Sequence, residues 1–438
     1  MISDPTSRAA IGDAATTLIV NAVQVDGALC DILVAGERIA AIAPHDPGRP
    51  LPEGAHAIDG RRRAALPGLM NGHTHTAMVM MRGWADDMPL MPWLEERIWP
   101  IERHLSREDV YCFARLGCIE MIRTGTTFFS DMYWHWHGTA AAARDSGLRA
   151  LLAGAIFDLG QPERVPEQQE QALAEADAVS RYGPRVRYAL GPHAIYTVGE
   201  PLLRWIAETA AARDLPIHTH ISETAHEVAE CVREHGVRPV AYLERVGLLG
   251  PRLLAAHAVH LDDAEIALLA RAGATVLHNP VSNLKLSSGG PMRYTALRDA
   301  GVNVVVGTDG AASNNSLDLS DDLKFAALLA KHATGDPTAM TADEALGLVT
   351  TNGARAFGVD AGELAPGKLA DFILVDLDHP LMFPGHDLAA DLVYSAAGRA
   401  VVTTVCNGRV LLEDGIVADE AAIRAEARER WARLVASL

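Results

Sequence analysis

Cysteine is scarce in this chain. The five residues, Cys30, Cys112, Cys118, Cys231 and Cys406, are odd in number and form no CxxC pair. That excludes a disulfide framework and leaves no spacing for thiolate zinc ligation. Positive charge is also short, with 38 Lys and Arg against 56 Asp and Glu. A net charge of −18 argues against nucleic acid and anionic membranes as partners, because phosphate binding needs clustered bases. No uninterrupted apolar run reaches the roughly 18 residues of a membrane span. The first twenty residues lack a basic start followed by an apolar core, so no signal peptide is expected and the cytoplasm is the expected location. Low-complexity segments and fixed-period repeats are absent as well.

What is present is ample core material. Hydrophobic residues make up 49% of 438, enough for one large α/β barrel plus a smaller unit. The N-terminal part reads as short strands, Thr17–Val25, Asp31–Val34 and Ile39–Ile42, separated by turns. Near the C-terminus, Asp371–Leu377 is apolar and β-branched, and Ala400–Cys406 with Arg409–Leu412 frames a hairpin at Asn407-Gly408. Neither end alone holds a convincing core, so both are expected to meet in one small β-sandwich built from 1–65 and 362–438. The middle, 66–361, alternates apolar runs with helix-compatible stretches. The runs fall near Ala64–Leu69, Thr126–Ser130, Ala150–Ile156, Val186–Leu190, Pro216–His220, Leu253–His257, Ala274–Leu277 and Asn303–Gly307. Eight such βα units in about 250 residues predict a (β/α)8 TIM barrel with strands buried on both faces. Ser106 and Thr341 are the expected N-caps of helices Arg107–Ile122 and Ala345–Thr350.

Several runs end in groups able to bind a metal or move a proton. His73 and His75 are two apart, so on a strand both imidazoles share a face and reach one ion. His218-Thr219-His220 repeats the spacing on the fifth run, followed by Glu223. His220, nearer the barrel mouth, is the expected ligand, and His218 the packed or hydrogen-bonded residue beneath it. His257 ends the sixth run, placed to hold an attacking water or polarise a substrate. Asp309 follows Val304-Val305-Val306 between glycines; an acid there is costly unless paired or metal-bound. No HxE motif with a following PCxxC is present, which excludes the zinc design built on that pair of motifs.

The joint pattern resembles the amidohydrolase superfamily: HxH, then HxxE, then His, then Asp, each after a separate strand. Asn71-Gly72-His73-Thr74-His75, Met81–Asp87, Trp93–Glu102 and His278–Leu286 are similar to the branch of 5-methylthioadenosine/S-adenosylhomocysteine deaminases, which also contains triazine chlorohydrolases. The resemblance implies one zinc held by His73, His75, His220 and Asp309; iron and manganese also suit such ligands. Binuclear members use a carboxylated lysine on the fourth strand, and Val186–Leu190 has none, which supports a mononuclear site. It further implies hydroxide attack on C6 of an adenine nucleoside (5-methylthioadenosine, S-adenosylhomocysteine or adenosine). Asp309 would take the water proton, Glu223 would protonate ring N1, and His257 would orient the hydroxide. Glu102 matches the family acid that binds the ribose hydroxyls, and His193 a histidine that contacts the nucleoside. Trp93 would wall the pocket, and Arg164 is the candidate for the arginines near the third strand. The rival readings are a deaminase or chlorohydrolase acting on guanine-like, pterin or s-triazine rings, and a non-catalytic ligand-binding protein. A homo-oligomer is compatible with all of them.

Overall fold

A computed structural model describes residues 18–51 and 53–437. Eight parallel strands follow one another in sequence order around a barrel: Leu69–Thr74, Thr126–Tyr133, Arg149–Ile156, Val186–Pro192, Ile217–Ile221, Leu253–His257, Thr275–His278 and Asn303–Val306. The seam between the last and the first is made just past the eighth strand. There the amide of Asp309 donates to the carbonyl of His73 at 2.8 Å, and Thr74 bridges Asp309. Gly307 permits this closure, since a Cβ there would lie 2.4 Å from the His73 nitrogen. The lower barrel interior is filled by Met70, Phe128, Leu151, Leu254, Leu277 and Val305, and Phe357 stacks on Phe128 at 4.5 Å.

Strands from both chain ends form one nine-stranded, mainly antiparallel sheet. Phe372–Asp376, from the C-terminal part, pairs with Arg63–Pro67 from the N-terminal part. Val20, Ile32, Ile39, Phe372 and Val405, from both ends, share one core. The hairpin at Asn407-Gly408 is present, with φ of 55° and 71°, as a two-residue turn of that type requires. Thr17, assigned to the first strand from sequence, lies outside the described residues.

The run Ala64–Leu69 is not one strand. Arg63–Pro67 belongs to the nine-stranded sheet and Leu69–Thr74 opens the barrel. Gly68 is the switch: its amide donates to Asp371 O at 3.0 Å, and a Cβ would meet Thr127 at 2.3 Å. Both flanking strands are buried, so hydrophobicity runs through the junction unbroken. Ser106 caps the helix Arg107–Arg123 in a reciprocal pair with Asp109. Thr341 does the same with Glu344, but its helix, Ala342–Leu348, begins three residues earlier than the sequence reading placed it. A final helix, Glu420–Ser437, lies against Arg107–Arg123, with Arg430 Nη1 3.0 Å from Asp109 Oδ1.

Candidate metal centre

Every chemistry-bearing side chain read from the runs sits at the C-terminal end of a barrel strand, the end on which barrels build their sites. His73 lies in the first strand and His75 just beyond it, His220 in the fifth, His257 at the last position of the sixth, and Asp309 after the eighth. His257 and Asp309 have φ of 72° and 62°. Left-handed backbone at non-glycine residues is strained, and here it turns both side chains into the mouth.

Two overlapping sets share His73. Ligand atoms of His73, His75 and Asp309 lie within 4.8 Å of one another, and so do those of His73, His220 and His257. Nε2 of His73 and Nε2 of His75 stand 3.3 Å and 3.1 Å from Oδ1 of Asp309. Tetrahedral zinc with bonds of about 2.0–2.1 Å needs donors roughly 3.3 Å apart, so these groups fit one ion. His73 Nε2 and Asp309 Oδ1 are buried without a hydrogen-bond partner, as atoms reserved for a cation would be. Asp309 Oδ2, in contrast, accepts from Ser282 Oγ at 2.6 Å and Ser313 Oγ at 3.0 Å. One carboxylate oxygen is fixed and the other is left open.

Electrostatics agree with the geometry. Burial holds His73 down to about 4 and His220 well below the usual imidazole range, so both keep a lone pair at neutral pH. Burial also pulls on His75, but the Asp309 carboxylate outweighs it and draws a proton onto His75 up to about 9. A divalent cation would take the place of that proton. Burial raises the carboxyl of Glu223, whose Oε1 accepts from Ser288 Oγ at 3.3 Å and whose Oε2 lies 3.7 Å from His257 Nε2. Glu223 precedes the helix Ala225–His235 and its N-cap Thr224, so it is a mouth residue and not part of the helix's first turn. Its own amide and that of Ser222 donate to the buried Glu227 at 2.8 Å and 2.7 Å, which fixes the turn.

A cavity opens over this cluster at the barrel mouth. Glu102, Trp93 and His193 line it together with His75, His220, Glu223, His257 and Asp309. Trp93 is both wall and core: it is buried, and its Nε1 donates to Ala85 O at 3.0 Å. His193 sends its carbonyl to His220 Nδ1 at 2.7 Å, and burial holds its own imidazole down to about 3. Arg164 is not brought into this cavity. It borders a wider outer chamber that meets the first at Trp99, Glu102, Trp134 and Phe157. The supporting residues Ser282, Asn279 and Asn283 lie in the segment His278–Leu286 that carried the family likeness. Asn283 Nδ2 is 2.9 Å from His257 Nδ1, and Asn279 Nδ2 is 3.4 Å from it. Trp134 had no signal in the sequence beyond its place just after the second strand.

The family model for the amidohydrolase family matches residues 64–411. The chain belongs to the amidohydrolase family. This amidohydrolase is 46% identical to a 5′-deoxyadenosine deaminase of Methanoregula boonei over 427 residues, covering 97% of this chain and 96% of the relative. It is 44% identical to 5-methylthioadenosine/S-adenosylhomocysteine deaminase 1 of Archaeoglobus fulgidus, over 83% of this chain and 86% of that one. Among solved structures, an adenosine deaminase of Xanthomonas campestris with bound zinc superposes with a TM-score of 0.89. That protein is 35% identical, and the match covers 97% of this chain and 99% of that one. Among the described residues, no helix is long and apolar enough to cross a membrane.

Proposed function

We propose that this amidohydrolase removes the 6-amino group of an adenine nucleoside by hydrolysis, giving the inosine-type product and ammonia. The observation that supports the reading is the pair of donor sets sharing His73, one with His75 and Asp309 and one with His220 and His257, in a cavity also lined by Glu223 and Glu102. The names of relatives aligned over nearly the whole chain point to the same substrate class, a nucleoside small molecule.

Those four residues would hold the ion, for which zinc is the reading supported by the zinc-bound structural neighbour. When bound, a divalent ion supplies a Lewis acid and makes water acidic enough to yield hydroxide near neutral pH. The chain's own groups do the rest. Glu223, buried and so able to keep its proton, delivers it to ring N1 and quenches the charge that develops on the purine. Asp309 takes the proton of the attacking water, Glu223 helps to pass a proton on to the amino nitrogen so that it leaves as ammonia, and the hydroxyls of Ser282 and Ser313 hold the other oxygen of Asp309 in place. With Asn283 donating to Nδ1, His257 carries its hydrogen on Nε2 and orients the nucleophile by a hydrogen bond without giving the proton up. Glu102 accepts the vicinal ribose hydroxyls, and His193 and Trp93 wall the base and sugar.

Ammonia release is the test. The zinc-loaded protein, offered 5′-deoxyadenosine, 5-methylthioadenosine, S-adenosylhomocysteine, adenosine, guanine and an amino-s-triazine, releases ammonia from the adenine nucleosides by preference. Release confined to the guanine or triazine arm overturns the nucleoside assignment, and no release from any ring overturns deamination.

A further inference from the structure

Each imidazole of the ligand set has its second nitrogen occupied, and one partner is unlike the others. His75 Nδ1 faces the carbonyl of Met132 at 2.5 Å, and His220 Nδ1 faces the carbonyl of His193 at 2.7 Å. A carbonyl only accepts, so in both rings Nδ1 carries a hydrogen and Nε2 is the nitrogen left to meet an ion. His73 has no such carbonyl. Its Nδ1 faces Nε2 of His218 at 2.8 Å, and Nδ1 of His218 faces Oγ of Ser130 at 3.2 Å. His73, His218 and Ser130 are all fully buried.

We propose that His218 is a positioning residue for the metal, acting through His73. The inference rests on the reading of His73 as a ligand. His73 Nδ1 donates to His218 Nε2, His218 Nδ1 donates to Ser130 Oγ, and Nε2 of His73 is left bare toward Asp309. Only this arrangement gives each of the two contacts one hydrogen and one lone pair while keeping His73 Nε2 free. An imidazolium at 218 would set N–H against N–H. The strand makes the pairing possible: His218 and His220 share a face two residues apart, so the lower imidazole supports His73 while the upper one joins the ligand set. Backbone carbonyls serve the other two rings and no side-chain substitution removes them. His73 alone depends on a replaceable side chain.

The experiment measures zinc dissociation by competition with a chromophoric chelator for the full-length protein, His218→Phe and His218→Gln, together with melting of the metal-free forms. Phe keeps a ring without an acceptor, whereas Gln places an amide oxygen near the lost Nε2. The expected result is a loss of affinity of about 10- to 100-fold in His218→Phe and recovery of most of it in His218→Gln, with metal-free melting alike in both. Parental affinity in a folded His218→Phe overturns the proposal, as does a Gln variant that falls with Phe. If Phe does not fold, Ser130→Ala decides: weaker zinc binding supports the relay and unchanged binding overturns it. A parent protein that takes up no zinc overturns the metal reading itself, a separate outcome.

Discussion

The indole Nε1 of Trp134 donates to Oε2 of Glu102 at 3.0 Å, and both residues border the cavity that His75, His220 and Asp309 also line. Trp134 stacks on Phe157 at 4.6 Å with 12° between the planes, and Phe157 stacks on His193 at 4.5 Å. One oxygen of Glu102 is thus held by a rigid aromatic wall that reaches the strand end beside His220. The Tyr133 hydroxyl also faces Glu102.

Trp134→Phe keeps the stacking and removes the N–H. A hydrogen bond to a charged group contributes about 1.5–3 kcal/mol, so KM for adenine ribosides should rise roughly tenfold or more. The effect on kcat should be smaller. Steady-state kinetics with a riboside and with its 2′,3′-dideoxy analogue check this; an equal rise for both would mean that the indole acts on something other than diol recognition.

Glu223→Gln preserves shape and removes the transferable proton. Turnover should fall by about 10²- to 10⁴-fold, while zinc content stays at the parental level. Metal analysis and kcat on one preparation separate the two effects. Near-parental turnover would assign the proton to another group.

Glu175 is buried at the edge of the outer chamber, where Gln171 Nε2 donates to it at 3.0 Å. Burial lifts its pKa from 4.5 to about 7. Between those values the folded chain holds a proton that the unfolded chain has released, so stability declines as pH rises through this window. Glu175→Gln removes that penalty. Its Tm should exceed the parent's at pH 8 by on the order of a few degrees and match it at pH 4. A gain of equal size at both pH values would trace to packing and not to ionisation.

Gly68→Ala places a methyl group 2.3 Å from Thr127 Cγ2 and Oγ1 at the junction between sheet and barrel. Overpacking of this kind costs about 1–3 kcal/mol. Denaturant unfolding should show the loss, and Thr127→Ala, which deletes those two atoms, should recover part of it. Additive effects in the double variant would place the strain elsewhere.

The barrel, the terminal sheet and the gathering of histidines and acids at the mouth were legible because each of these residues follows an apolar run, where an unpaired polar group would be costly. Their supports were not. Ser282 and Asp309 are 27 residues apart and His73 and His218 are 145 apart, and serines and asparagines are too common for spacing to pick out a partner. The division of Ala64–Leu69 was hidden because two buried strands abut with only Gly68 between them. The helix Glu420–Ser437 buries only Ile423, Ala427 and Leu434, too thin a stripe to mark it in sequence. Arg164, which the family likeness offered as a substrate contact, borders the outer chamber and not the cavity over the histidines.

The hydrogen bond from the Asp309 amide to the His73 carbonyl has a mechanical meaning. The peptide groups that zip the cylinder shut belong to the same residues whose side chains would grip the cation. Loading the ion therefore tightens the staves at their weakest joint. Slower deuterium uptake at the Asp309 amide on zinc addition would register it as a change in how often the cylinder springs open.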